Sequence, residues 1–250
     1  MILGIDISNY NGVPSPEQLQ SWKGQGVQHV VVRASLERQQ LEDTAHQQLQ
    51  VCRDAGFQVA AYVWAYFSED PKDTAQAALD LYDQFSPDTY WLDCEETDPQ
   101  WAGSSPGQRQ QWLGACVSAF EDAGKRVGVY TGSWWWVPYM DNSPLFADLP
   151  LWDADYDGVA DDNDWSHYGG WSERAGKQYS GNPIDLDVWH EEYLNGGNDN
   201  VSVDEQLSYW GGFSHDVLPE LIDRLQRAKA SRNWSEVQSV TTELEKYVSA

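Results

Sequence analysis

Basic residues are scarce in this chain of 250 residues: 15 Lys and Arg stand against 40 Asp and Glu, a formal net charge of −25. A field of that sign repels phosphate backbones and anionic bilayers, which sets aside nucleic-acid binding and membrane-surface association. Cysteine is scarce too. Cys52, Cys94 and Cys116 are too few, and odd in number, for a disulfide framework, and they read as buried thiols. No run of 18 apolar residues occurs, so no helical membrane span is expected. The opening MILGIDIS lacks the basic region and long apolar stretch of a signal peptide. The five histidines show no metal-ligand spacing, and neither metal nor cofactor is expected. Phenylalanine is sparse, at 6 residues, beside 14 Trp and 13 Tyr. Rings with a polar edge suit surfaces that grip something partly wet, such as sugars.

Short apolar runs alternate with helical patterns. Strand-like runs occupy 2–7, 29–34, 58–66, 89–95, 126–132, 149–154, 177–181 and 184–189, and helix-like segments lie near 16–24, 39–54, 71–85 and 105–123. Ser15-Pro16 and Asp70-Pro71 place proline where a first helical turn accepts it. Eight strands in about 190 residues at this rhythm predict an α/β fold, a parallel barrel whose closing strands have no room for full helices. A doubly wound open sheet is the alternative, weakened because no glycine-rich nucleotide loop follows a strand. Residues 1–194 form the barrel in this reading, 195–206 (beginning NGGNDN) a linker, and 207–250 a helical hairpin of unassigned role.

YWLDCEETD, residues 90 to 98, sets Asp93 and Glu95 two apart. On a strand both side chains share one face, and like charges that close are unfavourable unless one keeps its proton. Asp6 ends the first strand run, and Asp185 and Asp187 lie on the last, a neighbour of the first in a closed barrel. Carboxylates converging on one mouth either hold a hard cation or divide acid and base roles. The aromatic richness favours the second, because glycoside cleavage needs a protonated carboxyl beside a charged one.

GIDISNYNG (4–12), AAYVWAY (60–66), YWLDCEE (90–96), GVYTG (128–132), LWDADY (151–156) and KQYSG with IDLDVW (177–189) resemble, in order, the strand motifs of glycoside hydrolase family 25, the Chalaropsis-type muramidases. The resemblance implies an irregular barrel of TIM type. It also implies cleavage of the β-1,4 bond between N-acetylmuramic acid and N-acetylglucosamine in peptidoglycan. Carried over by motif, Glu95 is the general acid, and Asp93 stabilises an oxazolinium ion or acts as nucleophile. Asp6 and Asp185 complete the acidic floor. Tyr62 and Tyr130 orient the substrate, Trp152 and Tyr156 line the sugar groove, and Trp64 and Gln178 are further substrate contacts. The chain departs from the family at Asn9 and Asn11, at Cys94, and over 157–174.

Partners implied are peptidoglycan glycan strands, met by a monomer outside the cell or at a host wall, with a phage-encoded lysin as one origin. A chitinase-like hydrolase and a non-catalytic glycan binder are the alternatives. DADYDGVADDND (153–164) also carries the acidic positions of a calcium loop, but ends in Asp164 where the loop takes glutamate. A solvated acidic loop without calcium is the preferred reading.

Overall fold

The computed structural model describes residues 1–34, 43–103, 105–163, 165–181 and 184–194, with 224, 227, 228, 239 and 240 in the tail. The chain divides into two units, Met1–Gly197 and Asn198–Ala250. The five tail residues are helical. The linker, and the rest of the expected hairpin, lie outside the described residues.

In the first unit the strands are β1 (Ile2–Ile7), β2 (Val27–Arg33), β3 (Gln58–Trp64), β4 (Tyr90–Asp93), β5 (Val127–Thr131), β6 (Leu151–Ala154), β7 (Gly176–Ser180) and β8 (Asp185–Trp189). Helices α1 (Pro16–Gly24), α2 (Asp43–Asp54), α3 (Pro71–Tyr82), α4 (Pro106–Asp122), α5 (Ser133–Met140) and α6 (Glu191–Leu194) intervene or follow. The starts of α1, α3 and α4 repeat one device. Ser15, Asp70 and Ser105 accept backbone N–H groups of the first turn, with proline as the next residue. α5 was not expected from the sequence. Its SWWWVPYM is apolar nearly all round and carries Pro138 inside, so it shows no amphipathic period.

The strands close into a barrel in chain order. β1 to β7 run parallel, and no full helix lies between β6 and β8 among the described residues. One expectation is corrected: β8 runs antiparallel to both β1 and β7. The β7–β8 connection is too short for the crossover a parallel pair requires.

Three indoles fill the lumen. Trp91, Trp152 and Trp189 lie 5.3–5.9 Å apart between ring centroids and are at most 2% exposed. The facing strands yield to them with glycine. A Cβ on Gly4 or Gly176 would sit 2.4 or 2.3 Å from Trp189, and one on Gly128 would sit 2.4 Å from Trp91. The plug makes the interior a packed core and not a channel. Gly176→Ala is expected to lower unfolding stability by about 1–3 kcal/mol through overpacking, read as a shifted denaturant midpoint. An unchanged midpoint would mean that the Trp189 ring gives way freely.

Candidate active site

Every parallel strand delivers its last residues to one end of the barrel, and there the acidic residues gather. Asp6 sits near the end of β1 and Asp93 ends β4. Asp185 reaches the same end because β8 is reversed: it is the first residue of that strand, in register opposite Asp6. Asp187 lies opposite Gly4, one layer deeper and fully buried. Had β8 run parallel, the strand would begin at the closed end and Asp185 would be far from Asp6.

The expected side-by-side strand pair is modified. β4 stops at Asp93, and the next residue is pinned from both sides: the Cys94 N–H donates to the Tyr130 carbonyl at 2.8 Å, and Thr131 Oγ1 donates to the Cys94 carbonyl at 2.8 Å. Glu95 follows this clamp, half-buried just beyond the strand. Cys94 is a free, buried thiol, as are Cys52 and Cys116.

A hydrogen-bond chain organises one side of the mouth. Gln178 Nε2 donates to Asp6 Oδ2 at 2.5 Å. Its Oε1 accepts from the Tyr130 hydroxyl at 2.6 Å and from the Tyr156 hydroxyl at 2.5 Å, and the two phenol oxygens are 3.0 Å apart. Tyr156 as a residue is 52% exposed. Tyr62 is partly buried, its ring edge-on to Trp152 at 6.3 Å. Trp152 lies beneath the mouth, 1% exposed, and its indole N–H donates to Asp187 Oδ1 at 2.9 Å. It therefore supports the floor and is not an open wall of the groove.

Two residues that sequence reasoning passed over join the site. Glu96 is 8% exposed; its carboxylate accepts from Trp64 Nε1 at 2.9 Å and from the Asp98 N–H at 2.7 Å. Its carbonyl accepts from Trp135 Nε1 at 2.9 Å. The second glutamate of CEE was the available signal. Arg33, the last residue of β2, lies with its guanidinium 4.9 Å from the Trp64 ring centre. An arginine ending an apolar strand run was its only mark in the sequence.

Electrostatics follow from crowding and burial. Burial, with Asp185 and Glu96 nearby, pushes the Glu95 carboxyl up to about 7, against a lowering pull from Arg33. Asp93 is raised well above the carboxylate range by burial and by Glu95 and Glu96, again opposed by Arg33. Asp6 is raised by burial and by Asp187, Asp185 and Asp93, although the Gln178 hydrogen bond favours its charged form. Burial also raises Asp185 and Asp187. Glu95 thus holds its proton into mildly acidic solution, the condition for acid catalysis by a carboxyl group.

The segment that resembled a calcium loop carries cations of its own. Asp153, Asp155 and Asp162 pair with Arg174, and Asp157 pairs with Lys177. Among the described residues no cluster of His, Cys, Asp and Glu is arranged to hold a metal ion. Asp164 lies outside them.

A plugged β/α barrel whose mouth gathers carboxyl groups of raised pKa beside aromatic rings has the architecture of a barrel glycoside hydrolase. The family model of the glycosyl hydrolases family 25 matches residues 5–188. The chain belongs to that family. It is 30% identical over 181 residues to "Probable GH family 25 lysozyme 4" of Dictyostelium discoideum, spanning 71% of this chain and 82% of that protein. Its fold is shared with a muramidase from Acremonium alcalophilum (TM-score 0.67, 21% identity, 78% of this chain and 100% of that one). It is likewise shared with a family GH25 lysozyme from Aspergillus fumigatus (TM-score 0.65, 24% identity, 76% and 93%).

Proposed function

We propose that this glycoside hydrolase is an N-acetylmuramidase, cleaving the β-1,4 bond between N-acetylmuramic acid and N-acetylglucosamine with Glu95 as general acid. The observation that carries this reading is the Asp93–Glu95 pair at the strand-end mouth of the barrel, both raised in pKa chiefly by burial. Glu95 and Glu96 add to the rise of Asp93, and Asp185 and Glu96 add to that of Glu95. Glu95 gives its proton to the glycosidic oxygen as the bond to the anomeric carbon breaks. The positive charge that develops is met by the substrate's own acetamido oxygen, closing an oxazolinium ring, with Asp93 stabilising that ion; direct attack by Asp93 is the variant of the same step. Water then opens the intermediate, with Glu95 now accepting the proton.

The remaining residues position these two. Asp6 and Asp185 face each other across β1 and β8 and keep the floor acidic, and Gln178 ties Asp6 to Tyr130 and Tyr156. Tyr62, Tyr156 and Trp64 are the ring contacts for sugar, and Trp152 holds the floor through Asp187. Glycan strands of peptidoglycan are the proposed partner and the bacterial wall the place of action.

Digestion of purified peptidoglycan, followed by mass spectrometry of the new reducing ends, tests the proposal. N-acetylmuramic acid is expected at every new end. N-acetylglucosamine there would assign the other bond, and cleavage confined to chitin oligomers would assign a chitinase-like substrate.

A further inference from the structure

We propose that Arg174 and Lys177 are positioning residues: buried under the acidic segment 153–163, they stand where a bound cation would and hold Tyr156 against Gln178 as a fixed wall of the glycan groove. The proposal rests on the reading of the mouth as a glycan site.

The segment that leaves β6 is unusually acidic, and both cations beneath it have fully buried side chains. Arg174 donates through Nη1 to Asp153 at 2.8 Å and to Asp155 at 3.3 Å, and through Nε to Asp162. Its guanidinium also lies 5.5 Å from the Trp165 ring centre. Lys177 donates to Asp157 at 2.6 Å and lies 3.9 Å from Asp155. Two main-chain bonds continue the attachment to β7: Asp155 N–H to the Gln178 carbonyl at 3.1 Å, and Gly158 N–H to the Tyr179 carbonyl at 2.9 Å.

A buried cation is unfavourable unless paired and hydrogen-bonded, so leaving either one unpaired would be strongly destabilising. The loop is thereby committed to one position. Tyr156 stands between Asp155 and Asp157, the two aspartates that Lys177 reaches. Its hydroxyl is tied inward to Gln178 and Tyr130 while the residue as a whole stays half exposed. A tyrosine fixed at both backbone and hydroxyl offers a sugar a flat face with little ordering left to lose on binding. On an untethered acidic loop, that ordering would be taken from the binding energy, and repulsion among the aspartates would favour other conformations.

The test is a double-mutant cycle on the full chain with soluble peptidoglycan fragments as substrate. Lys177→Met and Tyr156→Ala are each expected to lower kcat/KM about tenfold, mainly through KM. The double variant is expected to be no worse than Tyr156→Ala, because the lysine acts only through the tyrosine. Lys177→Arg should recover most of the loss. Limited proteolysis of Lys177→Met should open the chain within 157–163 first. If Lys177→Met does not fold, Asp157→Asn breaks the same pair from its partly exposed side and is read in the same cycle.

Losses that multiply to about a hundredfold in the double variant would overturn the proposal. So would wild-type KM in a folded variant whose segment is nicked. Millimolar calcium should leave the wild-type melting temperature unchanged, and a clear stabilisation would show that the two side chains do not stand in for a cation. Glu95→Gln run in parallel separates the two readings. If that variant keeps activity, the glycan-site reading fails; if it is inactive and the cycle is multiplicative, only the positioning role fails.

Discussion

Glu95→Gln is expected to lower wall lysis by about 10²- to 10⁴-fold, the usual contribution of a general acid, while leaving the barrel folded. Glutamine keeps the shape and a hydrogen-bonding end but has no proton to give to the glycosidic oxygen. The same substitution should raise stability at neutral pH. Glu95 is held at a site where burial, Asp185 and Glu96 oppose its charge, and an amide is spared that opposition. Melting curves at pH 8 should therefore place the inactive variant above the wild type, with the difference shrinking toward pH 4, where the wild-type carboxyl is also neutral. Such an exchange of stability for function is the pattern expected of a strained catalytic group. Near-full lysis by Glu95→Gln would remove this residue from the acid role. Equal melting at pH 8 would remove the argument that the mouth is electrostatically strained.

The pH profile carries the second large effect. With Glu95 pushed up to about 7, its acid form dominates in mildly acidic solution, and kcat/KM should fall tenfold for each pH unit above the upper limb. That limb belongs to the coupled set of Asp6, Asp93, Glu95, Asp185 and Asp187, with Glu96 and Arg33 beside it, and not to one residue alone. The lower limb reports the ionisation the cluster needs before Asp93 is able to stabilise positive charge. The stability consequence has a definite sign. An unfolded glutamate loses its proton near about 4.3, whereas the folded protein keeps it to about 7. Between those values the native state binds more protons, so stability declines as pH rises through the window and levels off above it. Asp6, Asp93 and Asp187, also raised, push the same way. Asp93→Asn is expected to be nearly as damaging to lysis as Glu95→Gln and to reshape the bell, whereas a flat profile in the wild type would discard the proton-sharing pair.

Much of the scaffold was legible from one-dimensional pattern. Strand runs, helical patterns and the proline-marked starts of two helices are local properties, set by side-chain period and by which residues satisfy a first helical turn. They located β1 to β8 and α1 to α4 to within a few residues over the described chain. Acidic residues at strand ends were visible for the same reason, since a parallel barrel assigns every strand end to one side. The ordered motifs then carried the family. Membership is supported by the match over residues 5–188.

Other features needed the folded chain. Whether β8 runs with its neighbours or against them depends on a connection of four residues after β7, and its direction decides that Asp185, rather than Asp187, reaches the mouth. Trp152 has the composition of a groove wall, yet the Gly4, Gly128 and Gly176 positions open a lumen that three indoles fill, and it becomes floor. Glu96 and Arg33 were ordinary charges until Trp64 and the Asp93–Glu95 pair were placed beside them. The acidic loop shows the same limit most sharply. Its spacing matched a cation site because spacing records which residues are acidic. Only packing brings Arg174 and Lys177, 10 or more positions further along, beneath those residues. Local pattern determines which elements form and which charges lie at their ends. Long-range packing decides which charges are neutralised, which rings are covered, and therefore which carboxyl still holds a proton to give.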